Sequence, residues 1–156
     1  MDKVSFTQMK DGTKADYELL HPLEVEYASG TADRLLKALV ELDESLSGYQ
    51  ITRLGHSVQS ATRAWRDGAD IDWVVSALLH DIGDIYAPYN HDEYAATILK
   101  PFVREQCTWT VHNHGEFQML YYALTGCPFF MPTRPAVNNT QPDDMKEKHH
   151  VANNTR

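Results

Sequence analysis

Two cysteines, Cys107 and Cys127, stand in no CxxC arrangement, which argues against a disulfide framework or a zinc knuckle. No apolar run approaches the roughly 18 residues of a membrane span. The opening Met1-Asp-Lys-Val-Ser-Phe carries no long apolar core of a signal peptide. The expectation is a cytoplasmic protein with no membrane contact. Basic side chains are scarce as well: 14 Lys and Arg against 22 Asp and Glu, for a formal net charge of -8. Nucleic-acid surfaces rest on clustered Lys and Arg, so no nucleic-acid partner is expected. A small anionic substrate stays open, because a local site can oppose the global charge. Asn138-Asn-Thr140 and Asn153-Asn-Thr155 fit the glycosylation acceptor pattern and are read as chance matches.

What is present suits one domain: 156 residues with enough apolar side chains for a real core. Residues 1–30 are mixed and Gly-punctuated and read as a loosely held N-terminal arm. Residues 31–123 carry helical periodicity. Thr31 is placed to cap a helix reaching about Leu46, with Leu35, Leu36, Leu39, Val40 and Leu42 on its apolar side. A second helix is expected from Thr52 to Asp67, stopped by Gly68, with Leu54, Val58, Ala61 and Trp65 as its stripe. The run from Asp72 to Ile82 is apolar almost all round and reads as a buried central helix. Further helices are expected over His91–Lys100, Phe102–Asn113 and Glu116–Ala123, the middle one opening near Pro101. Residues 124–156 are Pro-rich and then polar, an irregular tail with the look of a truncated or altered end. The fold class is all-α: a compact helical bundle.

The chemistry gathers around His80-Asp81, which ends the apolar run from Trp73. An uncompensated charge at the edge of a core costs several kcal/mol, and a metal ion would compensate it. His56 arrives from the preceding helix, and His91 and His114 from those that follow. Imidazole and carboxylate are ordinary ligands for zinc, iron, manganese or nickel. On a continuous helix, His80 and Asp81 would diverge by about 100°, leaving the carboxylate free to bridge two ions. A lone His56 would be read as a solvated helix-face residue, and a lone His91 or His114 as a satisfied core histidine. His112 competes with His114, which continues the stripe of Val103, Cys107 and Val111 and precedes Gly115. His149 and His150 read as solvated, and His21 carries no site signal.

The pattern of His56, then His80-Asp81, resembles the HD-domain superfamily, most of whose members are described as metal-dependent phosphohydrolases. Gln59, three residues after His56, is similar to the corresponding helix of myo-inositol oxygenase and of the PhnZ-type phosphonate oxygenases. Leu78-Leu-His-Asp-Ile-Gly83, His91-Asp-Glu-Tyr-Ala-Ala-Thr-Ile-Leu99 and His114-Gly-Glu-Phe-Gln118 also resemble the PhnZ-type pattern, and a bacterial subgroup named as predicted HD phosphohydrolases. The resemblance implies a compact HD-domain bundle around a mixed-valent diiron centre. His56, His80, Asp81 and a distal Asp would hold one iron. Asp81, His91 and His114 would hold the other. His80 and Asp81 would carry the catalysis. Such a centre uses dioxygen to remove hydrogen from a hydroxyl-bearing carbon, after which a carbon–phosphorus or carbon–carbon bond is cleaved.

The chain departs from that pattern at three places. The aspartates after His114 are Asp143 and Asp144, in the tail. Gln118 and Asp84 stand where the PhnZ-type pattern has Lys and His. Leu46 and Tyr49 do not match its Tyr and Glu. Gln59, Asp84 and Gln118 are the candidate substrate contacts. Arg53 and Arg63 are weighed for an anion contact against a solvated helix face. The leading reading is a diiron oxygenase cleaving a small hydroxylated organophosphonate. A phosphohydrolase using another divalent metal on a phosphate ester or nucleotide is the alternative, and an inactive truncated relative a further one.

Overall fold

The computed structural model describes residues 3–124. Among them are six α-helices, three short 3-10 turns and no strand. The helices are α1 Lys14–Ser29, α2 Thr31–Glu41, α3 Arg53–Arg66, α4 Ile71–Leu79, α5 His91–Leu99 and α6 Glu105–Leu124. The first compact unit spans Met1–Phe117, and the second begins at Gln118, inside α6. Cys127, both glycosylation-type sequences, Asp143, Asp144, His149 and His150 lie outside the described residues.

Much of the segment read as an arm is helical. A reciprocal cap starts α1: the Thr13 hydroxyl oxygen accepts the Asp16 N–H, and the Asp16 carboxylate accepts the Thr13 N–H at 2.9 Å. Asp16 also accepts the Ser5 N–H at 2.6 Å and the Thr13 hydroxyl at 2.6 Å. The Ser5 and Thr13 donors hold its carboxyl well below the ordinary carboxylate range. Pro22 sits inside α1, and Asp16 is the buried residue of this helix. Thr31 does not cap α2. It lies within the helix, its hydroxyl donates to the Ala28 carbonyl at 2.6 Å, and Gly30 takes the cap position. The helix ends at Glu41, and a 3-10 turn over Leu42–Glu44 follows, short of Leu46.

The second expected helix is α3, with Thr52 accepting the Gly55 N–H at 3.1 Å. After it the chain reverses at Gly68, whose φ of +77° is left-handed and suits glycine. Half of its expected stripe faces inward: Ala61 is buried and Leu54 packs against the core, whereas Val58 and Trp65 are exposed and Ser57 is buried instead. Small buried side chains at 57 and 61 of α3 and at Ser76 of α4 suit the close packing of these two helices.

Asp70 caps α4 by accepting the Trp73 N–H. The helix is shorter and less enclosed than its composition suggests, ending at Leu79 with Ser76 and Leu79 buried and Ile71 exposed. Arg104 ties the entry to α6 onto this start: its guanidinium meets Asp70 at 2.6 Å, and its N–H donates to Asp72 at 3.0 Å. The two helices expected after Pro101 are one continuous helix, α6, running through Gly115. The core gathers Leu39, Leu42, Leu79, Ile82, Ala95, Ala96, Leu99 and Val111. Each large member contributes about 1.5–3 kcal/mol of transfer free energy. Through Leu79, Leu99 and Val111 this core anchors the end of α4, just before His80, and the helices α5 and α6 that carry His91 and His114.

Candidate metal centre

Where α4 stops decides the geometry. His80 and Asp81 follow its last residue, and a 3-10 turn over Ile82–Ile85 begins immediately after them. They therefore do not diverge as neighbours on a helix would. Nε2 of His80 lies 3.2 Å from Oδ2 of Asp81. Gly83 permits the turn: a Cβ there would stand 2.5 Å from the His91 carbonyl oxygen and 2.7 Å from its Cα. Only glycine lets this turn lie against the first residue of α5, and that approach sets His91 beside Asp81.

Asp81 is the centre of the group and is nearly fully buried. On its Oδ2 side, His80 lies at 3.2 Å and His56, from α3, at 3.6 Å. On its Oδ1 side, His114 of α6 lies at 3.2 Å and His91 of α5 at 3.6 Å. Within each pair the two Nε2 atoms are 3.1 Å apart. His56, His80 and Asp81 thus form one candidate ligand group, and Asp81, His91 and His114 another.

The donor chemistry fits a cation on each side. The Nδ1 of His80 donates to the Ala77 carbonyl at 2.9 Å, and the Nδ1 of His114 to the Val111 carbonyl at 2.6 Å. In the neutral ring this leaves the Nε2 lone pair facing Asp81. A lone pair 3.2 Å from a carboxylate oxygen needs a positive species between them, a proton or a metal ion. Ligand atoms about 2.1 Å from one ion stand about 3.0 Å apart at right angles and about 3.4 Å apart in a tetrahedron. The separations between Nε2 atoms and carboxylate oxygens, 3.2 and 3.6 Å, overlap that range at its upper end.

The electrostatics follow the same logic. Burial pushes the Asp81 carboxyl up, but the bonds from His114 and His80 outweigh it and hold the group well below the usual carboxylate range. Burial also opposes the His114 imidazolium, and the Asp81 carboxylate reverses that, leaving its pKa raised. His56 is pushed down by burial, with Asp81 opposing.

Of the substrate candidates, Asp84 lies beside the cluster. Its Oδ1 is 3.5 Å from Nδ1 of His91, and its Oδ2 meets the Arg53 guanidinium. Gln59 is exposed on α3, and Gln118 belongs to the second unit. His112 is exposed, while its competitor His114 is partly buried against Asp81. His21 is exposed as well. Arg53 is the residue that sequence reasoning underrated. A solvated helix face describes the exposed Arg63, but Arg53 is three-quarters buried, pairs with Asp84 and lies 3.6 Å from Asp81. The sequence signal was a cation three residues before His56 matched by an acid three residues after Asp81.

A helical bundle whose successive helices deliver His, His-Asp, His and His to one carboxylate has the architecture of an HD domain. The chain belongs to the HD-domain family, whose model matches residues 53–149. A [1-hydroxy-2-(trimethylamino)ethyl]phosphonate dioxygenase (glycine-betaine-forming) of Leisingera caerulea is 31% identical to it over 101 residues, 58% of this chain and 48% of the relative. The chain spans about half the length of that curated relative. No solved structure matches it. Among the described residues no helix is long and apolar enough to cross a membrane.

Proposed function

We propose that the chain is a cytoplasmic non-haem diiron oxygenase that cleaves the carbon–phosphorus bond of a small hydroxylated organophosphonate with dioxygen. The observation that carries this reading is the second histidine pair. His91 and His114 stand against Oδ1 of Asp81 as His56 and His80 stand against Oδ2. The likeness to a phosphonate dioxygenase supports the choice of substrate class.

On this reading His56, His80 and Asp81 would hold one ion, and Asp81, His91 and His114 the other. Iron bound there would supply the redox chemistry of dioxygen activation. The chain's own contribution is to fix six ligand atoms, four imidazole Nε2 atoms and the two Asp81 oxygens, and to keep bulk water from Asp81. The backbone carbonyls of Ala77 and Val111 keep the Nδ1 protons of His80 and His114, so both rings present Nε2.

The test is metal analysis of protein expressed aerobically with iron, followed by an oxygen electrode and phosphate assay with hydroxylated phosphonates. About two irons per chain, with oxygen uptake matched to phosphate release, is the expected result. Zinc or manganese in the site, with hydrolysis of phosphate esters or nucleotides and no oxygen uptake, would replace the reading with a phosphohydrolase. Protein that holds no metal would point to an inactive relative.

A further inference from the structure

The four histidines differ in what their Nδ1 atoms face. His80 and His114 each have a helix carbonyl three residues upstream. His91 has no such carbonyl to use. It is the first residue of α5, and the opening turn of a helix presents N–H groups rather than carbonyl oxygens. What faces its Nδ1 instead is a carboxylate, Asp84 Oδ1, at 3.5 Å.

Three features fix that carboxylate. It sits in the 3-10 turn that Gly83 lets lie against the His91 backbone. Its N–H donates to the Asp81 carbonyl at 3.0 Å. Its other oxygen is held by Arg53, whose side chain is three-quarters buried and whose guanidinium also reaches to 3.6 Å from Oδ2 of Asp81. Arg53 thus lies between two buried carboxylates and offsets both. Without it, Asp81 and Asp84 would bring two carboxylates into one partly desolvated space with no cation between them.

We propose that Asp84 is the positioning residue of His91. It selects the tautomer with the proton on Nδ1, so that Nε2 is the ligand atom, and Arg53 keeps the Asp84 carboxyl group aimed at it. This rests on the metal-centre reading above, and it moves Asp84 from substrate contact to ligand support. It also makes the two halves of the centre chemically unequal. A carboxylate behind an imidazole makes it a more basic ligand than a backbone carbonyl does. The ion beside His91 would therefore be the more tightly held.

The test has two readouts on wild type, Asp84→Ala and Asp84→Asn. The first is nitrogen-15 NMR of the imidazole rings in metal-free protein, above the titration of histidine. The expected result is a His91 ring protonated on Nδ1 in wild type, retained in Asp84→Asn through the amide oxygen, and mixed or reversed in Asp84→Ala, with His114 unchanged in all three. The second is cobalt titration followed by visible absorption. Asp84→Ala should weaken one binding step by about 10–100-fold. That step should be the one His91→Ala abolishes, with the other step unmoved. An unaltered His91 tautomer in Asp84→Ala overturns the proposal. So does an equal weakening of both steps. If Asp84→Ala does not fold, Asp84→Ser makes the same comparison. The two readings fail separately. A wild type that binds a single ion counts against the dinuclear centre, while the metal-free tautomer still decides the role of Asp84.

Discussion

His56 and His80 stand against one oxygen of Asp81, and His91 and His114 against the other, yet the His56 side chain is 49% exposed and that of His91 21%. Both pairs repeat an Nε2 separation of 3.1 Å. The difference lies behind the ligands. The His91 half rests on α5 and α6, whose Ala95, Leu99 and Val111 are in the core, and Asp84 and Arg53 back it. The His56 half rests on an α3 that turns Val58, Gln59 and Arg63 outward. Equal ligand sets can thus sit in unequal frames, and the frame decides how firmly each ligand atom is held before an ion arrives.

The largest expected effect removes what the halves share. Asp81→Ala deletes an oxygen from each, so metal content measured by elemental analysis should fall below one ion per chain. Retention of one full ion would show that one histidine pair binds without the carboxylate. Smaller, and more telling, are the single-half variants. His91→Ala and His56→Ala should each remove one binding step from a cobalt titration and leave the other. The step lost with His56 should be the weaker in wild type. If the step lost with His56 is the tighter one, exposure does not set the order.

How much of this was legible in the sequence depends on the range of the interaction. The gathering of the five candidate ligands was readable because each sits on or next to a helix with clear local signals, and because histidines ending apolar runs are conspicuous. The start of α3 near Thr52 and its stop at Gly68 were readable for the same reason: both signals act within one turn. The register of α3 was readable only in part: Leu54 and Ala61 face inward as expected, but Ser57 is buried while Val58 and Trp65 point outward. The unity of α6 was not readable. Gly115 resembles a helix end, but a Cβ there would meet the Asp92 carboxylate at 3.1 Å, so the site also takes glycine for space. The helix at residues 14–29 was hidden by Pro22 and by a weak apolar face. The Arg53–Asp84 pair joins residues 31 positions apart, and its one trace in the sequence is the matching three-residue offset of each from His56 and Asp81.

The frame itself can be weakened without touching a ligand. Leu99 is 1% exposed in α5, and Leu99→Ala should cost about 2–5 kcal/mol in chemical denaturation. Val58→Ala, on the outward side of α3, should stay within about 0.5 kcal/mol. If the core holds the His91 half in place, Leu99→Ala should also weaken the tighter cobalt step more than the weaker one. An equal loss in both would mean that the core supports the bundle as a whole.

The smallest effect lies far from either half and tests whether their difference is local. Thr13→Ala removes the cap of α1 and a hydroxyl that donates to Asp16, and should cost about 1 kcal/mol near neutral pH. Because the Ser5 and Thr13 donors lower the Asp16 carboxyl, the stabilisation it brings is full above the ordinary carboxylate range and is lost as pH falls below that range. The melting-temperature gap between wild type and Thr13→Ala should therefore be widest near neutrality and narrow in acid. Both cobalt steps should keep their wild-type order and spacing, because neither half of the centre takes a ligand or a ligand support from α1. A change in that spacing would carry the inequality of the halves beyond Asp84 and the core to the N-terminal helix.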